Sequence, residues 1–165
     1  MVGHVPVSSW TRGLSLLLLG GCLTEPTPMQ SHAMTMRANA SFKIESWDEK
    51  PLADVAENPK VTHALVTKSF AGDLEGRSTL EYVLAYDADG AATYVGMERI
   101  EGTLRGRAGS FVLELRGTFG KGKAETTWSV VPGSGTGELA GLRGRGAATA
   151  VHAERNPWVL EYELD

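Results

Sequence analysis

Two mid-strand glutamates, Glu81 and Glu98, are the residues of this sequence best suited to chemistry. They fall on neighbouring hairpins of a chain with strong strand character. A carboxylate that faces the inside of a barrel loses its water, so its pKa would rise and it could act as a general acid or base. If both side chains face outward, they are two solvated surface carboxylates, which is the simpler interpretation.

Three large side chains near these glutamates, Tyr82, Met97 and Trp128, are candidates to contact a ligand. Such residues usually fill a core, and they would line an apolar pocket only if the barrel leaves a cavity, as some eight-stranded barrels do. The sequence therefore predicts a low-polarity ligand site made of Glu81, Tyr82, Met97, Glu98 and Trp128. It names no catalytic residue.

Histidine and cysteine are too scarce to suggest a metal centre. His63 and His152 are the histidines of the strand-forming region, neither has a partner at metal-ligand spacing, and the single cysteine, Cys22, precedes that region. Gly133-Ser-Gly-Thr-Gly137 lacks the Lys-Ser/Thr pair of a phosphate-binding loop, and no Gly-x-Ser-x-Gly motif occurs. We therefore expect no metal and no cofactor.

Charge and composition narrow the possible partners. The 165 residues carry a net charge of −4, and the balance stays the same without residues 1–35, which hold one base and one acid. An acidic domain without a basic stripe argues against nucleic acid as a partner. The chain is long enough to bury a full core as one domain, and its 20 glycines among β-branched and aromatic residues favour an all-β fold.

A Gly-x-Leu-x-Gly motif occurs three times and organises the strands. The copies begin at Gly72, Gly102 and Gly137, and each leads into a run of strand character. The glycines can adopt the positive φ that a sharp corner needs, and the central leucine can fold in to plug the end of a barrel. The spacing is that of one β-hairpin plus its turns, which is typical of a meander or barrel.

Alternating apolar and polar residues predict eight strands. They cover residues 38–47, 61–70, 78–86, 91–101, 109–119, 124–131, 145–151 and 158–164. Eight antiparallel strands in chain order close most simply as an up-and-down barrel, because closure removes the exposed edges of a flat sheet. We therefore predict an all-β fold, an eight-stranded antiparallel up-and-down β-barrel, as a single domain over residues 37–165.

Period-two alternation separates an inner face from an outer face. The predicted inner residues are Leu80, Tyr82, Leu84, Tyr86, Val95, Met97, Phe111, Leu113, Leu115, Trp128 and Val130. The opposite face carries Glu81, Glu98, Glu114 and Thr127, interleaved with Val83, Ile100 and Val112. Because this second face is more apolar than a monomer needs, it also suggests a homo-oligomer interface.

Residues 1–22 have two interpretations. Arg12, the apolar run Leu14–Leu19 and the sequence ending at Cys22 resemble a bacterial lipoprotein signal, in which the cysteine is acylated and anchors the protein to a membrane. Alternatively, the start is over-long, and translation from Met34 or Met36 would give a cytoplasmic protein.

The apolar run near the N-terminus is much shorter than the roughly 20 residues of a membrane span. We therefore expect no integral membrane span, with lipidation at Cys22 as the alternative anchor. Residues 23–36 contain prolines, threonines and serine without periodicity, and they are predicted to form a flexible tether.

The stretch from Phe42 to Tyr162 resembles a bacterial family known as domain of unknown function 3224. The resemblance rests on Ser46-Trp47-Asp48-Glu49, Gly72-Asp-Leu-Glu-Gly76, Ser78-Thr-Leu-Glu-Tyr82, Gly96-Met-Glu-Arg99, Gly109-Ser-Phe111, Gly117-Thr-Phe119 and the run from Trp128 to Gly141. That family is similar to the allene oxide cyclase barrel, which plant dirigent proteins also resemble. The resemblance implies this barrel and no established activity. Glu114-Leu115 stands where family members are expected to carry Gln-His, which puts any activity of that histidine in doubt.

Three functions fit these observations. The first is the binding of a small, largely apolar ligand in the barrel lumen. An isomerase or cyclase similar to the allene oxide cyclases is the alternative, and it needs Glu81 or Glu98 inside the barrel beside a cavity. A structural module that self-associates through its outer face is the third. A filled lumen would exclude the first two, and a monomer in solution would exclude the third.

Overall fold

The computed structural model describes residues 34–52 and 60–164, and in it eight antiparallel strands form a closed barrel. The strands are β1 (Met36–Pro51), β2 (Lys60–Gly72), β3 (Leu74–Tyr86), β4 (Ala92–Leu104), β5 (Arg107–Gly120), β6 (Lys123–Val130), β7 (Arg143–Val151) and β8 (Asn156–Glu163). Each strand pairs with its neighbours in sequence, and β8 returns to pair with β1. The predicted up-and-down barrel is therefore confirmed.

Three leucines of the repeated motif close one end of the barrel. Leu74, Leu104 and Leu139 are at most 1% exposed. They lie in the β2–β3 hairpin, the β4–β5 hairpin and the β6–β7 connection, which share one end because successive strands alternate in direction. Gly72 and Gly137 have φ angles of 118° and 61°, which a residue with a side chain rarely adopts. The motif forms the expected corners and plugs what we call the closed end.

A β-bulge in β1 changes which side chains face inward. The register between β1 and β2 shifts between Ile44 and Ser46, so Phe42 pairs with Phe70 while Trp47 pairs with Val66. The extra residue reverses the alternation of side chains along the strand. Phe42 and Trp47, an odd number of residues apart, therefore both lie on the inner face.

Aromatic rings inside the barrel lie against glycines of the adjacent strand. The register pairs Tyr82 with Gly96, Tyr94 with Gly117 and Trp128 with Gly146. A Cβ atom on Gly96 or Gly117 would come 2.6 Å from atoms of the paired tyrosine ring. The ring thus fills the space left by the missing side chain, which fixes its orientation in the lumen.

Strand β7 has only small side chains on its inner face. These are Gly144, Gly146, Ala148 and Ala150, and the alternate residues of the strand are exposed. Trp128 of β6 and Trp158 of β8 stack across this strand with ring centroids 5.8 Å apart and planes at 10°. Because glycine and alanine fill little volume, the barrel is not completely packed beside β7.

The predicted inner face is confirmed on β3, β5 and β6 and is wrong on β4. Val95 and Met97 are 52% and 53% exposed, whereas Tyr94, Glu98 and Ile100 are buried. Both faces of β4 carry apolar residues, so alternation alone does not choose between them. The pairing with β3 does, because directly paired residues of antiparallel strands share a face.

The predicted signal segment, Cys22 and the tether up to residue 33 lie outside the described residues. Among the residues that are described, none belongs to a helix long and apolar enough to cross a membrane.

Candidate functional site in the barrel lumen

A cavity of about 350 Å³ lies inside the barrel and reaches the end opposite the leucine plug. Its border includes Phe119, Gly122 and His152, which lie in or beside the β5–β6 and β7–β8 turns. This volume is at the lower end of the range for small-molecule sites. Depressions of about 590 to 740 Å³ also occur, but they lie on the outer surface among mostly exposed side chains.

The cavity wall combines large aromatic and small aliphatic side chains. The aromatic residues are Phe42, Trp47, Tyr82, Tyr86, Tyr94, Phe119, Trp128 and Trp158, and the small ones include Ala124, Ala148 and Ala150. The rings of Tyr82 and Tyr94 meet edge to face, with centroids 5.0 Å apart. Such a wall offers a flat apolar molecule both ring contacts and room.

An ion pair between Lys68 and Glu98 is buried in this wall. Nζ of Lys68 lies 3.1 Å from Oε1 and 3.2 Å from Oε2 of Glu98, and the side chains are 8% and 1% exposed. The Ser78 hydroxyl donates a hydrogen bond of 2.5 Å to Oε1 of Glu98. The ammonium group also lies 4.9 Å from the ring centroid of Phe42. Each buried charge is therefore partnered, and the pair is neutral as a whole.

Three tyrosines line the cavity and differ in the partners of their hydroxyls. The Tyr94 hydroxyl shares a hydrogen bond of 2.7 Å with Thr126, and that of Tyr86 donates one of 2.9 Å to Glu49. The Tyr82 hydroxyl has no hydrogen-bond partner among the residues that the structure describes. Burial, followed by the charge of Glu98, raises the pKa of Tyr82 well above 10.0, so this hydroxyl stays protonated.

A hydrogen-bonded carboxylate holds the rim of the open end. Glu49 accepts hydrogen bonds from Thr62 at 2.7 Å, Trp47 Nε1 at 2.9 Å and Tyr86 at 2.9 Å. Burial alone would raise the pKa of Glu49, but these three hydrogen bonds lower it below 4.5. The cluster fixes Trp47 and Tyr86 beside the cavity. The ring centroids of Trp47 and Tyr82 are 6.0 Å apart.

The structure brings three of the five predicted ligand-site residues together. Tyr82, Glu98 and Trp128 line the cavity. Glu81 and Met97 do not, because they are direct cross-strand partners on the outer face, where the Glu81 side chain is 65% exposed and Met97 is 53% exposed. The prediction that Met97 lies on the inner face was therefore wrong. The simpler interpretation as a solvated carboxylate holds for Glu81 and is wrong for Glu98.

Sequence reasoning missed Lys68, the partner of Glu98. The inner face of β2 consists of Thr62, Ala64, Val66, Lys68 and Phe70, all buried. A lysine within an apolar period-two series was the available signal, and Glu98 interrupts the series of β4 with the opposite charge. Two residues of opposite charge, each within the apolar face of one of two nearby strands, indicate a buried ion pair.

No metal site is visible in the part of the chain that the structure describes, since no three His, Cys, Asp or Glu side chains there converge.

Comparisons with known proteins agree with this architecture. The family model described as Protein of unknown function (DUF3224) matches residues 38–162, from β1 to β8. The chain is also similar to a crystal structure of a DUF3224-family protein of unknown function from Shewanella oneidensis MR-1, with 30% sequence identity and a TM-score of 0.66. That match covers 80% of this chain and 98% of the other. No curated protein matches the chain.

Proposed function

Since the chain belongs to the DUF3224 family, whose description gives no activity, we propose from its own geometry that the barrel binds a small, largely apolar molecule in its lumen. The observation that carries this proposal is the cavity of about 350 Å³ walled by aromatic side chains. Protein interiors are close-packed, with few voids larger than a water molecule. A void of this size is more than a purely structural barrel needs.

The small inner residues of β7 support the proposal. An apolar side chain at Ala148 or Ala150 would fill part of the space and bury additional apolar surface, at roughly 25 cal/mol per Å². The sequence instead has glycine and alanine along this wall, and beside the cavity β8 contributes only Asn156 and Trp158 to the lining. A ligand that enters the lumen gains the burial that the side chains leave available.

Substitution of two consecutive alanines tests the proposal. Ala148 faces the cavity and Ala147 is exposed on the outer face of the same strand. We expect wild-type protein to bind the neutral probe N-phenylnaphthylamine saturably, with a rise in probe fluorescence. Ala148→Leu should weaken binding by about five- to 150-fold, because overpacking of the occupied site should cost about 1–3 kcal/mol. Ala147→Leu should leave it unchanged.

The proposal fails if wild-type protein shows no saturable binding, or if Ala148→Leu binds as the wild type does. Native mass spectrometry of protein purified gently from its own host gives an independent check. A reproducible small-molecule mass, released on denaturation, would identify the natural occupant.

An isomerase or cyclase is the second candidate, favoured by the burial of Glu98 beside the cavity. A desolvated carboxylate is a suitable general acid or base for moving a proton within an apolar ligand. We rank binding above catalysis because the Glu98 carboxylate is already engaged in an ion pair with Lys68 and a hydrogen bond from Ser78. Catalysis predicts that the wild type converts the molecule recovered from the host to a new chromatographic species. Glu98→Gln should not do so under conditions in which it is folded and still binds N-phenylnaphthylamine.

Self-association is the third candidate and rests on a different set of residues from those expected. Ile100 of the expected interface is buried, but Leu65, Val83, Val95 and Met97 form an apolar patch on the outer face of β2, β3 and β4, each at least 40% exposed. Glu81 lies within the patch, between Leu65 and Met97, and Arg99 lies beside it, so a second copy related by a two-fold axis could set arginine against glutamate. Light scattering tests this candidate, since Met97→Glu would dissociate such a dimer and a monomeric wild type would exclude it.

A further inference from the structure

The wall of the cavity contains one tyrosine hydroxyl without a protein partner, that of Tyr82. The other two cavity tyrosines bond to Thr126 and Glu49, as described above. Tyr82 as a whole is 7% exposed, but its hydroxyl is not among the sealed polar atoms, so it is accessible from the cavity that Tyr82 lines. A buried donor without a partner is unfavourable, and such groups in native proteins usually meet a water or a ligand.

Asn156 Nδ2 is a second donor of the lining and lies at the open end, beside the β7–β8 turn. Two tryptophan donors of the lumen do not compete for the role of Tyr82. The Nε1 atoms of Trp128 and Trp158 also lack partners, but both atoms are sealed from any accessible space. Trp128 Nε1 lies directly against the backbone of Gly146. A ligand in the cavity would have to displace the wall to reach them.

The charged groups of the wall limit what the cavity can accept. The positive charge of Lys68 is neutralised by both carboxylate oxygens of Glu98. The other ionisable residue of the lining, His152, is exposed at the open end. A carboxylate or ammonium group placed deeper in the lumen would add a net charge beside a pair that is already neutral, which is costly. The lumen is therefore suited to an uncharged molecule.

Resting on the ligand-binding function proposed above, we propose that the cavity selects an uncharged, flat molecule with a carbonyl-type oxygen, and that the Tyr82 hydroxyl donates a hydrogen bond to that oxygen. A phenol is a better donor than acceptor, and this one keeps its proton. The ring contacts that Tyr82 makes with Tyr94 and Trp47 hold the hydroxyl in place on the wall. Tyr82 thus sets specificity, while the rest of the wall supplies apolar contact.

Three probes of matched shape separate the parts of this proposal. They are acetylnaphthalene, which carries a ketone, ethylnaphthalene, which has no oxygen, and naphthoate, which is charged. Each is measured by displacement of N-phenylnaphthylamine from wild-type protein, Tyr82→Phe and Tyr162→Phe. Tyr162→Phe is the matched control, because Tyr162 is also buried but does not line the cavity.

The informative quantity is the affinity for the ketone divided by the affinity for the hydrocarbon. We expect Tyr82→Phe to lower this ratio by about two- to tenfold, the range of a net neutral hydrogen bond. The affinity for ethylnaphthalene should stay as in the wild type, which also shows that the variant is folded. Tyr162→Phe should keep the wild-type ratio, and naphthoate should bind more weakly than the ketone to all three proteins.

The role of Tyr82 is overturned if the ratio is the same in Tyr82→Phe and wild type. Preference for an uncharged ligand is overturned if naphthoate displaces the reporter as well as acetylnaphthalene does. In both cases saturable binding of N-phenylnaphthylamine would remain, so lumen binding would stand. If neither the reporter nor any probe binds the wild type, this inference and the proposed function fail together.

Discussion

Lys68 and Glu98 meet inside the barrel from strands that are not neighbours, with Nζ 3.1 Å from Oε1. They belong to β2 and β4, and the intervening strand β3 contributes Ser78, which bonds to the same carboxylate. The pair therefore ties three strands together beside the cavity. Since both side chains are almost fully buried, each depends on the other for the compensation of its charge.

Loss of one member of this pair should be strongly destabilising. Glu98→Gln leaves the Lys68 ammonium buried without a countercharge, and we expect the free energy of unfolding to fall by about 3–5 kcal/mol. The double substitution Lys68→Met with Glu98→Leu removes both charges and should recover most of that loss. Urea denaturation followed by tryptophan fluorescence measures both effects.

The surface pair Glu114 and Arg116 is the control for this prediction. Its atoms are 2.7 Å apart, but the side chains are 45% and 70% exposed. Glu114→Gln should therefore change the free energy of unfolding by less than about 1 kcal/mol. If Glu98→Gln proves no more harmful than Glu114→Gln, the buried pair does not have the role assigned to it.

The glycine beneath Tyr94 should not tolerate a side chain. A Cβ atom on Gly117 would clash with the backbone carbonyl oxygen of Glu125 and would lie 2.6 Å from Cζ and Oη of Tyr94. We expect Gly117→Ala to lower the free energy of unfolding by about 1–3 kcal/mol, as overpacking commonly does. Thermal unfolding followed by circular dichroism is the measurement.

Gly120 on the same strand provides the matched substitution. A Cβ atom there would lie 3.7 Å from Cβ of Ala91, an ordinary contact, and Gly120 does not have a positive φ. Gly120→Ala should leave the unfolding temperature nearly unchanged. Equal losses for the two variants would mean that the strand accommodates a side chain at Gly117 against both Glu125 and the Tyr94 ring.

Stability at high pH should depend on Tyr86. Burial, followed by the hydrogen bond to Glu49, raises the pKa of Tyr86 from 10.0 to about 12. Because the folded protein holds this proton more tightly than the unfolded chain, the contribution is complete below pH 10 and is lost as the pH rises towards 12. Tyr86→Phe should therefore lose less stability than the wild type between these two pH values.

The urea midpoint, measured at several pH values for both proteins, tests the role of Tyr86. The buried residues Tyr82 and Tyr94 also have raised pKa values, so a part of the alkaline loss will remain in Tyr86→Phe. Superimposable pH profiles for the two proteins would contradict the prediction.

The order of the strands and the closed end could be predicted from sequence because both depend on local signals. Leu74, Leu104 and Leu139 lie at fixed positions between glycines, and the periodicity of the strands is strong. Which side chains line the lumen, by contrast, depends on the pairing between strands that are distant in sequence. The orientation of Glu98 follows from its pairing with Leu80 and not from the residues next to it in β4, where both faces are apolar.

The bulge in β1 and the cavity were beyond prediction for similar reasons. Nothing in the sequence around Glu45 distinguishes an inserted residue from regular alternation, yet the insertion brings Trp47 to the inner face. The small residues Ala148 and Ala150 are visible in the sequence, but they indicate a cavity only once the barrel has closed around them. Which residues face the lumen is thus a property of the whole sheet.

The seam between β7 and β8 should open more readily than the other seams. Within the described residues, Arg143–Arg145 pair with Glu161–Glu163, but β7 continues to Val151 without further ladder pairing to β8. Near the open end, the Val151 amide is bonded instead to the Asn156 side chain, at 2.8 Å. Backbone amides that lack a stable ladder exchange with solvent through local opening.

Hydrogen exchange followed by mass spectrometry tests this seam. We expect peptides that cover residues 146–160 to exchange faster than those of the fully paired β3–β4 hairpin, and Asn156→Ala to accelerate them further. Because Ala148, Ala150 and Trp158 of this seam line the cavity, N-phenylnaphthylamine should slow exchange there and leave β3–β4 unchanged. Equal protection of the two regions in the free protein would show that the seam is closed by contacts other than ladder hydrogen bonds.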